Sequence, residues 1–88
     1  MKHMEILAEA VETVGERGKD YGQIDENFDR IRTIFFAITG VRLSSYQAAM
    51  FLVSLKLARL ATNPEKKDSF VDGINYLAFA GKFAIERE

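Results

Sequence analysis

Arg17-Gly18-Lys19-Asp20-Tyr21-Gly22 is the stretch of this 88-residue chain most suited to holding an anion. Its glycines permit close backbone approach, Arg17 and Lys19 supply charge, and Tyr21 offers a stacking face. It is not a Walker loop, because the G-x-x-x-x-G-K-[ST] pattern and a preceding strand are missing. Lys56 and Arg59 form a second candidate, one turn apart on an otherwise apolar segment, with Asn63 a turn beyond. Buried cations need carboxylates, an anion or a wet helix edge to which their stems can reach. Asp68, Asp72 and Tyr76 then recur every four residues, along one helix face. The two acids could pair with Lys56 and Arg59 across a helix interface, hold Mg²⁺, or, for Asp68, complement a helix dipole. Pairing accounts for the cations and the acids with a single contact. Glu9, Glu12 and Glu16 make a further acidic face, read either as the wet side of a helix or as a Mg²⁺ ligand set. His3 is the only histidine and lies in the terminus, where it is no base or ligand.

The elements that must position these residues are helical by period. Ile6, Leu7, Ala10, Val11 and Val14 define one face of a first helix, with Glu5, Glu9, Glu12 and Glu16 opposite. Gly15, Gly18 and Gly22 oppose helix, so the spacing predicts a loop over Gly15–Gly22. A second helix runs from about Asp25 or Asn27 to Thr39, with Phe28, Ile31, Phe35 and Ile38 as its stripe and Gly40 as its stop. Ser44 and Gln47 match a capping box, and Leu43 can staple onto Ala48. The helix they start, Ser45 to Thr62, is apolar nearly all round, which predicts a central element buried on most sides. Asn63-Pro64 ends it, and a last helix extends from Pro64 or Lys67 to Ile85 on a stripe of Phe70 or Val71, Ile74, Leu77, Ala78 and Phe83. The expected fold is all-α, a compact bundle of about four helices in a single domain over residues 1–88.

Composition sets the limits of that reading. The chain has no cysteine, which excludes disulfides, thiol catalysis and Cys-type zinc sites. Twelve basic against thirteen acidic residues give a net charge of −1, with no sign of a nucleic-acid polymer as partner. No apolar run approaches the roughly 18–20 residues of a membrane span, and no signal peptide is visible, so the expected compartment is the cytoplasm. Seven phenylalanines and three tyrosines, with an all-round apolar central helix, exceed what three neighbouring helices can cover. A homo-oligomer, a dimer at least, is expected.

Taken together, these residues resemble a family of small helical phage and prophage proteins grouped as a domain of unknown function. The resemblance rests on Arg17/Asp20-Tyr21-Gly22, Asn27-Phe28, Lys56-Leu57-Ala58-Arg59-Leu60, Asn63-Pro64 and Asp68-Ser69-Phe70-Val71-Asp72 followed by Tyr76. It covers roughly Glu9 to Ala80 and implies a viral or prophage origin without a settled activity. A more distant likeness is to MazG-type all-α nucleotide pyrophosphohydrolases, which hold Mg²⁺ with E-x-x-E on one helix and E-x-x-D on a later one. Glu9-Ala10-Val11-Glu12 fits the first half, whereas Asp68 and Asp72 are four apart and depart from the second.

Two functions follow. The first is capture of a nucleotide or nucleotide-derived signal used in host defence, sequestered to counter that defence without turnover and without a cofactor. Arg17 and Lys19 would take phosphates, Lys56 or Arg59 would reinforce them, and Tyr21 or Tyr76 would stack a base, with Asp20, Asn27, Asp68 and Asp72 completing the site. The second is Mg²⁺-dependent pyrophosphate hydrolysis, with Glu9, Glu12, Asp68 and Asp72 as ligands and Lys56 or Arg59 on the leaving phosphate. A structural or regulatory oligomer with no small ligand is the third reading.

Overall fold

The computed structural model describes residues 1–86 and contains four helices: α1 (Lys2–Tyr21), α2 (Ile24–Thr39), α3 (Ser45–Thr62) and α4 (Lys67–Ile85). The all-α expectation holds, and three of the four helices begin and end close to where local signals place them. Ser44 Oγ accepts from the Gln47 N–H at 3.0 Å while Gln47 Oε1 accepts from the Ser44 N–H at 2.9 Å, completing the capping box of α3. Gly40 closes α2 in the left-handed conformation, φ 75° and ψ 4°, which a glycine adopts at no steric cost.

The expected Gly15–Gly22 loop is a correction. α1 runs through Gly15 and Gly18 and stops only at Gly22, whose φ of 77° and ψ of −153° is open essentially to glycine alone. Helical glycine costs about 1 kcal/mol each relative to alanine, a penalty that tertiary contacts can offset. Here they do: beyond Gly15, Arg17 reaches α4 and anchors the last turns of α1. Continuing the helix also keeps the backbone donors satisfied, down to the Gly22 N–H on the Gly18 carbonyl at 3.1 Å.

α3 and α4 pair extensively as a helical hairpin across the turn 63–66, and α1 and α2 both lie over one side of it. α1 packs on α4, where Asn75 Nδ2 donates to the Ala10 carbonyl at 2.9 Å. α2 packs on α3, and Arg32 Nε donates to the Leu43 carbonyl at 2.7 Å, fastening the connection between them. The core is small. Among the described residues Phe28 is the one large side chain that is fully buried, seated against Ala48, Ala49 and Ala80. Phe79 and Phe83 meet its ring edge-on at 5.8 and 5.1 Å, a favoured aromatic geometry.

The expectation that α3 is buried on most sides is also corrected. Only Ala48, Ala49, Val53 and Lys56 are buried, and Phe51, Leu55 and Leu57 are exposed. For Leu57 the reason is layering: with α1 and α2 on one side of the hairpin, no described helix covers the other. Phe51 instead faces α2, at the rim of that contact, where it meets the Phe35 ring edge-on at 5.9 Å. Ile38, Phe70 and Leu77, expected in core stripes, are exposed as well.

Candidate functional site

Asp72 is the centre of the polar interior. It sits on α4 one turn before Tyr76, on the side turned to α3, and its side chain is only 10% exposed. Lys56 Nζ approaches Oδ2 at 2.9 Å from α3, and its own side chain is 11% exposed. Arg17 contacts Oδ1 at 3.2 Å from α1, and this side chain is 49% exposed. Two cations therefore share one carboxylate, and one of them reaches in from the solvent side. A buried charge needs a partner of this kind: Asp72 makes both cations tolerable, and they in turn compensate its carboxylate. The group carries one positive charge in excess, which an incoming anion would neutralise.

A cavity of about 510 Å³ opens directly above this group. Arg17 and Gly18 of α1, Asn27 and Phe28 of α2, Lys56 of α3, and Asn75, Tyr76 and Phe79 of α4 all reach it. One end is thus ionic, with amide groups from Asn27 and Asn75. The other is aromatic, with Tyr76 and Phe79 rings tilted at 6.5 Å to one another. A second, more polar cavity of about 340 Å³ lies at the α3–α4 turn and shares Lys56 and Asp72 with the first. Arg59, Lys66, Asp68 and Ser69 line it. Neither Arg59 nor Lys66 has an ion-pair partner among the described residues.

Of the residues singled out by sequence, Arg17, Asn27, Lys56, Asp72 and Tyr76 converge on the first cavity. Arg59 and Asp68 join the second. Lys19 is exposed and lines neither. The side chains of Asp20 and Tyr21 lie outside the described residues. The four acids of the Mg²⁺ reading are not gathered: Glu9 pairs with Lys67 at 3.0 Å, Asp72 is held by Lys56 and Arg17, and Asp68 faces the second cavity. Among the described residues no three acidic or histidine side chains stand close enough to share a metal ion. Phe28, Asn75 and Phe79 are site residues that sequence reasoning missed. Asn75 carried a usable signal, a lone amide within an apolar helix and three residues from Asp72.

Two lysines outside the cavity linings tie α4 to its neighbours, Lys67 to α1 and Lys82 to α2. The Lys67 ammonium is held above its ordinary pKa by its hydrogen bond to Glu9. Lys82 is raised likewise, by Glu86 first and then by Asp25, which ties the end of α4 to the start of α2. No helix of the described chain is long and apolar enough to cross a membrane.

Comparison with known proteins agrees with a small phage protein family of unknown function. A family described as "Domain of unknown function (DUF6378)" matches residues 5–84. The Gene 55 protein of Mycobacterium phage L5 is 33% identical over 87 residues, which cover 97% of this chain and 56% of that protein. The Gene 55 protein of Mycobacterium phage D29 is 35% identical over 72 residues, covering 81% of this chain and 48% of the relative. The chain thus spans about half the length of these phage relatives. No solved structure matches it. By the extent of that match, this chain belongs to the family of the domain of unknown function DUF6378.

Proposed function

We propose that this protein binds a nucleotide or nucleotide-derived signalling molecule and holds it without turnover. The observation that carries the reading is the Arg17–Asp72–Lys56 group set beside the Tyr76 and Phe79 rings in one cavity. A nucleotide has the same two halves, an anionic phosphate and a planar ring. The volume also suits it, since small-ligand sites occupy about 300–1,000 Å³. Arg17 is half-exposed and can bond a phosphate while Lys56 continues to neutralise Asp72. Tyr76 and Phe79 would stack the base, and the Asn27 and Asn75 amides would read its edge or the sugar. Arg59 and Lys66 stand ready for further phosphates at the second cavity. The phage relatives suggest the setting: during infection, removal of a host nucleotide signal would blunt a defence response.

The test is a panel of nucleoside triphosphates, cyclic nucleotides and ADP-ribose-type nucleotides, incubated with the protein with and without Mg²⁺. Bound material is released by denaturation and separated by chromatography. Intact release supports capture, whereas Mg²⁺-dependent products replace it with pyrophosphate hydrolysis. Retention of nothing overturns both. For a nucleotide that is retained, Arg17→Ala should weaken binding roughly ten- to a hundredfold, the worth of one charge-assisted hydrogen bond.

A further inference from the structure

The α3–α4 hairpin has a second broad face, turned away from α1, α2 and the cavity. Tyr46, Met50 and Leu57 of α3 fall on it by helical spacing, together with Phe70, Ile74 and Leu77 of α4. Leu57 is 60% and Leu77 54% exposed, values that a leucine in a finished core does not have. No charged residue of α3 or α4 belongs to this face. Asp72 holds Lys56 and Arg17, Lys67 holds Glu9, Lys82 holds Asp25, and Arg59 and Asp68 line the second cavity. An apolar face free of charge and this wide is an interface without its other half.

From this we infer that a second copy of the chain packs on the face, giving a back-to-back dimer about a twofold axis. Area argues for that occupant. The single chain exposes 6444 Å², about 1,200 Å² more than the roughly 5,200 Å² expected of a compact 10.0 kDa monomer. A standard interface takes about 800 Å² from each partner, so the excess is enough for one. Shape agrees, because the radius of gyration is 13.7 Å against about 12 Å for a compact domain of this length. A twofold contact needs a surface that is complementary to itself, and an uncharged face brings no like charges together. Gly81 lies on the same face and has open space where a side chain would stand, which leaves room for a close neighbour. The ligand cavity opens on the opposite side, so both copies keep theirs accessible. The dimer does not depend on what that cavity holds.

Sedimentation equilibrium of the 88-residue chain at micromolar concentration tests the pairing. The expected mass is twice 10.0 kDa. Leu57→Glu and Leu77→Glu should each halve it while the circular dichroism stays helical, since both side chains are already exposed in the single chain. Val11→Glu, on the exposed side of α1, should leave the mass unchanged. A monomeric wild type would overturn the inference and hand the face to another occupant. An odd-numbered oligomer, a dimer indifferent to both leucine changes, or one dissociated by Val11→Glu would overturn it equally.

Discussion

The two faces of the α3–α4 hairpin are built from the same helices and stabilised in opposite ways. The inner face carries charge in a place where charge is expensive, and its buried charges are met by partners. Asp72 pairs with the buried Lys56 and with the half-exposed Arg17, whose excess positive charge reaches solvent, and the apolar contacts around Phe28 close the space beside them. The outer face carries apolar groups where water makes them expensive, and no described helix of the single chain covers them. Side-chain chemistry therefore separates a face complete in one copy from a face that is not. The difference teaches that the core of this small fold is lopsided. Its specificity lies inside, and its unspent hydrophobic area lies outside.

Removal of the central carboxylate should break the inner face most severely. Asp72→Ala leaves Lys56 buried without a partner and is expected to cost about 3–5 kcal/mol. For a domain of this size each kcal/mol lowers Tm by about 4–8 °C, so thermal melting reads the loss directly. Phe28→Ala should cost a similar amount, about 3–5 kcal/mol, because it empties the only large fully buried position among the described residues. An Asp72→Ala protein that melts like wild type would show that the charges are solvated and the two faces are not different in kind.

Lys56→Met sharpens the contrast. It removes one cation but leaves Asp72 the other, Arg17, so the loss should be smaller, about 1–3 kcal/mol by the same melting assay. If Lys56→Met and Asp72→Ala cost the same, Arg17 contributes nothing to the group. Ser44→Ala sits away from both faces and removes half a capping box, for about 1 kcal/mol.

The smallest effect belongs to the two lysines that tie α4 to its neighbours. Lys67 and Lys82 have folded pKa values above the ordinary lysine value. Their contribution is therefore fully present below that value and is lost as pH rises through the raised one. The pH dependence of melting should be indifferent to these two lysines across the neutral range and respond to them only in alkali. Glu9→Gln should lower the neutral Tm slightly, because it removes a contribution present there, and flatten the alkaline response. A neutral Tm and an alkaline response both like wild type would mean that this exposed pair contributes nothing to the α1–α4 contact.

What the sequence determined by itself was mostly local. The capping box at Ser44, the stop at Gly40 and the turn at Asn63-Pro64 depend on neighbours within a few residues, and each stands as its pattern implies. A pairing of Lys56 or Arg59 with Asp68 or Asp72 was legible too, because a buried cation leaves little choice of chemistry. The packing of α3 on α4 alone selects Lys56 and Asp72 from the four combinations. Only the tertiary structure decided the rest. Local propensity stops α1 at Gly15, and it took Arg17 reaching α4 to carry it to Tyr21. Phe28, Asn75 and Phe79 read as ordinary helix positions until α2 and α4 are brought together around one cavity. The all-round apolar α3 shows the limit most plainly. Periodicity reports which positions resist water, but it cannot say whether a neighbour in the same chain, or none, lies against each of them. That depends on which side of the hairpin α1 and α2 occupy, and contacts across the whole length of the chain settle it.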